Sequence, residues 1–183
     1  YQNHNSNIHR AVHALAEEST EAFENTRDMV AKFLNIEDSR EIIFVRGTTE
    51  GINLVAYAWG RDNVKEGDII VTTEYEHHSN IVPWQLLTQE KKAQLKYIDI
   101  DDNGELMLDQ LDDYLSTGKV KLVTFSHMSN VLGTISPVEK IISKCKNAGV
   151  KVLIDAAQSV PHMKVNLNEI GCDFFVFSGH KML

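Results

Sequence analysis

Short apolar runs alternate with helical patterns through most of this 183-residue chain, and that alternation limits its fold more than any other feature. Glu41–Val45, Asp68–Thr73, Leu95–Asp99, Val120–Ser126, Lys151–Asp155 and Phe174–Phe177 read as strands. Between them lie helical stretches: Ile52 to about Gly60, Ile81–Lys92 with Pro83 in its first turn, Leu108–Leu115, and a helix opened by Pro137 and closed by Gly149. Strands joined through helices pair in parallel, and a parallel sheet is covered on both faces. The expectation is one domain of the α/β class: a three-layer, mainly parallel sheet with helices on both faces. The four-residue run Phe174–Phe177 reads as a strand buried on both sides. Ahead of the sheet, about His9–Asn35 reads as one long amphipathic helix. Its apolar face runs Val12, Ala16, Ser19, Phe23, Thr26, Val30, Phe33, and Tyr1–Ile8 before it reads as loop.

Net charge is −8, with no cluster of Lys or Arg, which argues against nucleic acid or an anionic membrane as partner. No apolar run reaches the length of a membrane span. Cys145 and Cys172 lack CxxC spacing, so neither a disulfide framework nor a zinc site is expected, and a reducing cytoplasm is the default location.

Nearly every strand is followed by a polar turn, and in parallel α/β sheets these turns converge along the carboxyl edge, where ligands bind. Gly47-Thr48-Thr49 sets hydroxyls and backbone N–H groups at a helix N-terminus, either an anion site or a plain threonine cap. The segment is neither a Walker A loop nor GxGxxG. His77 and His78 follow Glu76; adjacent histidines do not share a helix face, so no metal is expected, and one imidazole facing a flat cofactor competes with a solvated turn. Asp155 ends an apolar strand, placed either to pair with a buried cationic nitrogen or to cap the next turn, and Gln158 shares that turn. Ser178, His180 and Lys181 end the last strand. Lys181 is either an ordinary surface lysine or a partly desolvated amine that attacks carbonyls. Together these groups offer an anion cradle, a stacking ring, a carboxylate and an amine, which are the needs of pyridoxal 5'-phosphate.

The chain resembles the fold-type I pyridoxal-phosphate enzymes of the class V aminotransferase group. Within that group it is most similar to the Suf-type cysteine desulfurases, which overlap in sequence with selenocysteine lyases. The resemblance rests on Asn7–Arg10, Val45–Asn53, Glu76–Gln85, Ser129–Gly133, Asp155–Gln158 and Phe177–Lys181. His-His rather than His-Lys after Glu76 favours the Suf-type branch.

The resemblance implies roles residue by residue. Lys181 would hold the cofactor covalently and move the substrate Cα proton. Asp155 would pair with the pyridinium nitrogen and Gln158 with the ring hydroxyl. His77 would stack on the ring and take part in proton transfer. Thr48, Thr49, Ser178 and His180 would hold the phosphate, Asn130 would contact substrate or ring edge, and His9 and Arg10 would lie near the mouth of the site. The full enzyme would be a homodimer converting L-cysteine to L-alanine and passing sulfur, as persulfide, to an acceptor protein of iron–sulfur cluster assembly. A selenocysteine lyase or another enzyme of the group is the alternative. Residues 1–183 would form part of the large cofactor-binding domain, inactive alone, because the nucleophilic cysteine and a carboxylate-binding arginine of the family lie in a C-terminal domain.

Overall fold

The computed structural model describes residues 6–9 and 13–182. They form two compact units: residues up to Phe44 with Val165–Glu169, and Val45–Lys164 with the chain from Ile170 onward.

The first unit is built on α1 (Ala14–Leu34), capped by the His13 ring, which accepts the Ala16 N–H at 3.2 Å. Asn35, in the left-handed conformation, ends it. The buried positions are Ala16, Ser19, Ala31 and Leu34, while Phe33 is 52% exposed. The expected face holds at the start and misses by one residue at the end, because steps of three and four average 3.5 residues. A straight helix advances 3.6 per turn, so five turns from Ala16 reach Leu34 rather than Phe33. Val12 lies outside the described residues.

The expected strand Glu41–Val45 does not form. Ser39–Glu41 is a 3-10 turn, Ile42 is extended, and the residues from Ile42 to Val45 join no ladder among the described residues. Ile43 and Phe44 remain 68% and 42% exposed. Apolar alternation confers a preference for extended backbone; only a partner strand makes it sheet.

The second unit opens with α2 (Thr48–Val55), which runs through a π-helical turn, Ala56–Gly60, into α3 (Arg61–Asn63). Then come β1 (Ile69–Thr73), α4 (Val82–Lys91), β2 (Gln94–Ile98), α5 (Leu108–Ser116), β3 (Val120–Ser126), α6 (Val138–Asn147) and β4 (Lys151–Asp155). The short helix α7 (Ser159–His162) precedes β5 (Phe174–Val176); between them in sequence, α8 (Leu167–Ile170) falls almost wholly in the first unit. The five strands pair in parallel in the order β2-β1-β3-β4-β5.

Side chains alternate across this sheet. On one face Ile70, Leu122 and Leu153 pack with Ile52 and Ala56 of the first helical run and with Trp84 and Leu87 of α4. Val71, Val123, Val152 and Ile154 alternate with them in sequence, and α5 and α6 bury Leu111, Ile141 and Ile142. β5 is only half-buried rather than sealed on both sides, since it is the sheet edge among the described residues. Its inner anchor is Phe174, whose ring centre lies 5.7 Å from that of Trp59.

From β1 the chain crosses outward to β2, then returns past β1 to β3 and continues the other way to β4 and β5. This reversal leaves a crevice beyond the carboxyl ends of β1 and β3. Among the described residues no helix is long and apolar enough to cross a membrane.

Candidate active site

The turns after β1, β3, β4 and β5 and the start of α2 meet around a cavity of about 280 Å³ beyond the carboxyl edge of the sheet. Its walls include Thr48, Thr49, His77, Asn130, Asp155, Gln158, Ser178, His180 and Lys181. These are the sequence-derived candidates of the second unit, brought together from positions spread along most of the chain.

One wall is an anion cradle. The Thr48 N–H donates to Ser178 Oγ at 2.9 Å, and the two hydroxyls lie 2.7 Å apart. Both residues are buried. The bond ties the start of α2 to the end of β5 across 130 residues of sequence. The N-cap residue Gly47 has no side chain to cap α2, so apart from the Thr48 N–H bonded to Ser178 the positive pole of the helix faces the cavity beside two hydroxyls. Gly47 makes the entry with φ 156° and ψ 179°, a conformation essentially restricted to glycine. A second opening of about 670 Å³, lined by Arg46, Thr48, Thr49, Tyr57, Ser178 and His180 among others, adjoins the cradle.

The opposite wall carries the carboxylate. Asp155 is 4% exposed at the end of β4, in register with Ser126 of β3. Its Oδ1 accepts the Ala157 N–H at 2.9 Å, and its Oδ2 accepts no hydrogen bond from the described residues. Burial raises its pKa above the usual carboxylate value; the Ala157 N–H and the charges of Lys181 and His77 pull it back. A buried acid with one unpaired oxygen turned to a cavity calls for a cationic donor. The capping alternative is also met in part, since the bond to Ala157 closes the next turn.

His77 heads a 3-10 turn, His78–Asn80, with its Nδ1 2.7 Å from Ser79 Oγ and 3.2 Å from the Ser79 N–H that it accepts. Nδ1 is thus an acceptor, which leaves the proton of the neutral ring on Nε2. The His78 ring stacks on it at 4.1 Å. Desolvation, then the neighbouring His78 and Lys181, hold the His77 pKa below its ordinary value, with Asp155 opposing. Lys181 closes the site from a 3-10 turn, Gly179–Lys181, after β5. It is exposed, as the surface-lysine alternative has it.

His9 belongs to the first unit, where its ring bonds Glu24 at 3.0 Å, and Arg10 lies outside the described residues. The cavity also includes Ser79, Ser126, Met128 and Ala157, which sequence reasoning did not single out. Ser126 had a signal, as the last residue of a strand at the carboxyl edge.

The donor set fits pyridoxal phosphate: a cradle for an anion, a ring for stacking, an unpaired buried carboxylate oxygen and an amine, all on one cavity. The chain is 53% identical over 182 residues to a cysteine desulfurase of Synechococcus elongatus, spanning 100% of this chain and 29% of that protein. A solved apo cysteine desulfurase from Thermococcus onnurineus NA1 superposes with a TM-score of 0.90 at 42% identity, over 97% of this chain and 43% of that one. A chain named SspA, solved in complex with cysteine, matches with a TM-score of 0.85 at 25% identity, over 94% and 49%. The chain spans less than half the length of the curated relatives it matches. The profile of the aminotransferase class-V family matches residues 1–183, and the chain belongs to that family.

Proposed function

We propose that residues 1–183 supply the cofactor-binding part of a pyridoxal-phosphate-dependent cysteine desulfurase. Asp155 carries the reading: it is buried, has one oxygen without a hydrogen-bond partner among the described residues and lines the same cavity as His77 and Lys181. Relatives named cysteine desulfurase support the choice of substrate. Bound pyridoxal phosphate supplies an aldehyde for an amine and a ring that withdraws electrons from the substrate Cα.

In this reading Thr48, Thr49, Ser178 and His180 bind the phosphate at the N-terminal end of α2. Asp155 holds a proton at the ring nitrogen through its free oxygen, which keeps the ring electron-poor. His77 lies against the ring face, Gln158 donates to the ring hydroxyl, and Asn130 stands at the rim toward substrate. Lys181 holds the cofactor and then carries the proton from the substrate Cα. The overall exchange balances as L-cysteine plus an enzyme thiol giving L-alanine plus an enzyme persulfide.

Neither thiol of this chain suits that acceptor role. Burial pushes both Cys145 and Cys172 up to about 12, so thiolate is scarce at neutral pH. The nucleophilic cysteine is placed in the remainder of a longer protein, in keeping with relatives more than twice this length. That protein is read as a cytoplasmic homodimer delivering sulfur to an acceptor of iron–sulfur assembly. Exposed Leu54, Tyr57, Val82 and Leu86 on the α2 and α4 side support the dimer, and two free thiols the reducing compartment.

The test is to load the full-length protein with pyridoxal phosphate, reduce with borohydride and map the modified peptide. A single adduct on Lys181, absent from Lys181→Ala, is expected. No adduct, or adducts scattered over surface lysines, would overturn the reading.

A further inference from the structure

Beneath the His77 turn lies a buried polar lattice centred on Glu76, which the proposed chemistry does not use. Glu76 is buried, and both of its oxygens are saturated by protein. Oε1 accepts from Thr73 Oγ1 at 2.5 Å and from the Ser126 N–H at 2.7 Å. Oε2 accepts from Asn80 Nδ2 and from Ser126 Oγ, each at 2.7 Å.

The lattice has a fixed direction. Trp84 Nε1 can only donate, and it donates to Asn80 Oδ1 at 2.9 Å; Thr124 Oγ1 donates to the same oxygen at 2.7 Å. Asn80 must therefore present its NH₂ to Glu76. The Ser126 N–H can only donate as well. Each carboxylate oxygen thus faces one obligate donor. Burial pushes the Glu76 carboxyl up to about 7, while the four bonds pull the other way.

We propose that Glu76 is a positioning residue: it clamps the end of β1, the turn that carries His77 and the end of β3, and thereby sets the His77 ring plane against the bound cofactor. The inference rests on the cofactor reading above. Glu76 directly precedes His77, and the turn beginning at His77 includes Asn80. Ser126, held through both its N–H and its hydroxyl, is the register partner of Asp155, and the His127 N–H bonds the Asp155 carbonyl at 2.8 Å. One carboxylate therefore spans the crevice between β1 and β3 and references both the stacking ring and the acid to a common frame.

Glu76→Gln is the informative variant because it keeps the shape. Its amide NH₂ must replace one acceptor oxygen, and either choice sets donor against donor, at the Ser126 N–H or at the Asn80 NH₂. The experiment uses full-length wild type, Glu76→Gln, His77→Ala and the double variant, each loaded with pyridoxal phosphate. It measures visible circular dichroism per bound cofactor, the cofactor dissociation constant and the melting midpoint of the apoprotein.

The expected result is a borohydride adduct on Lys181 in every variant, a dichroic band at least halved in Glu76→Gln, and cofactor binding weakened roughly tenfold, within the coupling range of groups sharing one network. In the His77→Ala background Glu76→Gln should change the band no further. A lowered apoprotein midpoint with wild-type dichroism and affinity would make Glu76 an anchor of the fold alone and overturn the proposal, as would full additivity with His77→Ala. If Glu76→Gln does not fold, Thr73→Val deletes one donor to Oε1 and should move the band in the same direction by a smaller amount; an unmoved band overturns the proposal. Failure of wild type to form the Lys181 adduct would instead remove the cofactor reading.

Discussion

Asp155 is held in a place that disfavours its charge. Burial raises its pKa, so the fold makes the anion harder to form, whereas the proposed cofactor role calls for the anion. For an acid with a raised folded pKa, the stabilising contribution is present below the unfolded value and is lost as pH rises through the folded one. Asp155→Asn should therefore leave the apoprotein at pH 8 as stable as wild type or more so, since the amide oxygen can still accept the Ala157 N–H. The same variant should weaken pyridoxal-phosphate binding by roughly tenfold or more through loss of a charge-assisted bond. Paired thermal melts and cofactor titrations check both halves, and a destabilised apoprotein would refute the first.

This residue was legible in sequence as an acid ending an apolar run, and Thr48, Ser178 and Lys181 were legible as polar groups beside strand and helix ends. Glu76 shows the same signature after β1, yet its place in the buried lattice was not legible. What defines it is Ser126, fifty residues away, and no local pattern reveals a partner across the sheet.

Glycine at position 60 shows how packing between elements overrides propensity. Gly60 lies in the helical run at φ −61°, where alanine would ordinarily stabilise by about 0.5–1 kcal/mol. A Cβ there would fall 2.6 Å from Leu87 Cδ2 of α4. Overpacking costs about 1–3 kcal/mol, so Gly60→Ala should be net destabilising and lower the urea midpoint. The same balance explains which elements were readable. β3 and β4 match their expected bounds to the residue, because central strands carry dense β-branched and apolar runs with neighbours on both sides. Ile42–Val45 carries similar chemistry but has no ladder partner among the described residues, and α1 drifts off its expected face by the mismatch between two periods.

Across the molecule, titrations fall into separate pH windows. Asp38, held down to about 2 by Arg40, and Glu50, held below its usual value by Arg46, add stability that is lost only as pH falls through the acid range. Glu76, raised to about 7, acts in the reverse sense: its contribution declines as pH climbs from about 4.5 to 7. Buried His127 and the more exposed His77, both with pKa values lowered chiefly by desolvation, oppose it by favouring the fold as pH rises through the imidazole range. Comparing wild type with Glu76→Gln cancels the histidines. Wild type should lose stability relative to the variant between pH 5 and pH 8, read as the difference between chemical-denaturation curves.

The bond between Thr48 and Ser178 also has a bearing on biosynthesis. A chain made from its N-terminus presents the first half of the anion cradle early and waits for 130 further residues before the other half exists. Until β5 has emerged from the ribosome and docked, a phosphate bound as proposed would meet one wall only, and Lys181 would not yet be in place. On the cofactor reading, capture would report that synthesis has passed β5. A nascent chain stalled before Ser178 should remain colourless in the presence of pyridoxal phosphate, however well its first four strands have assembled.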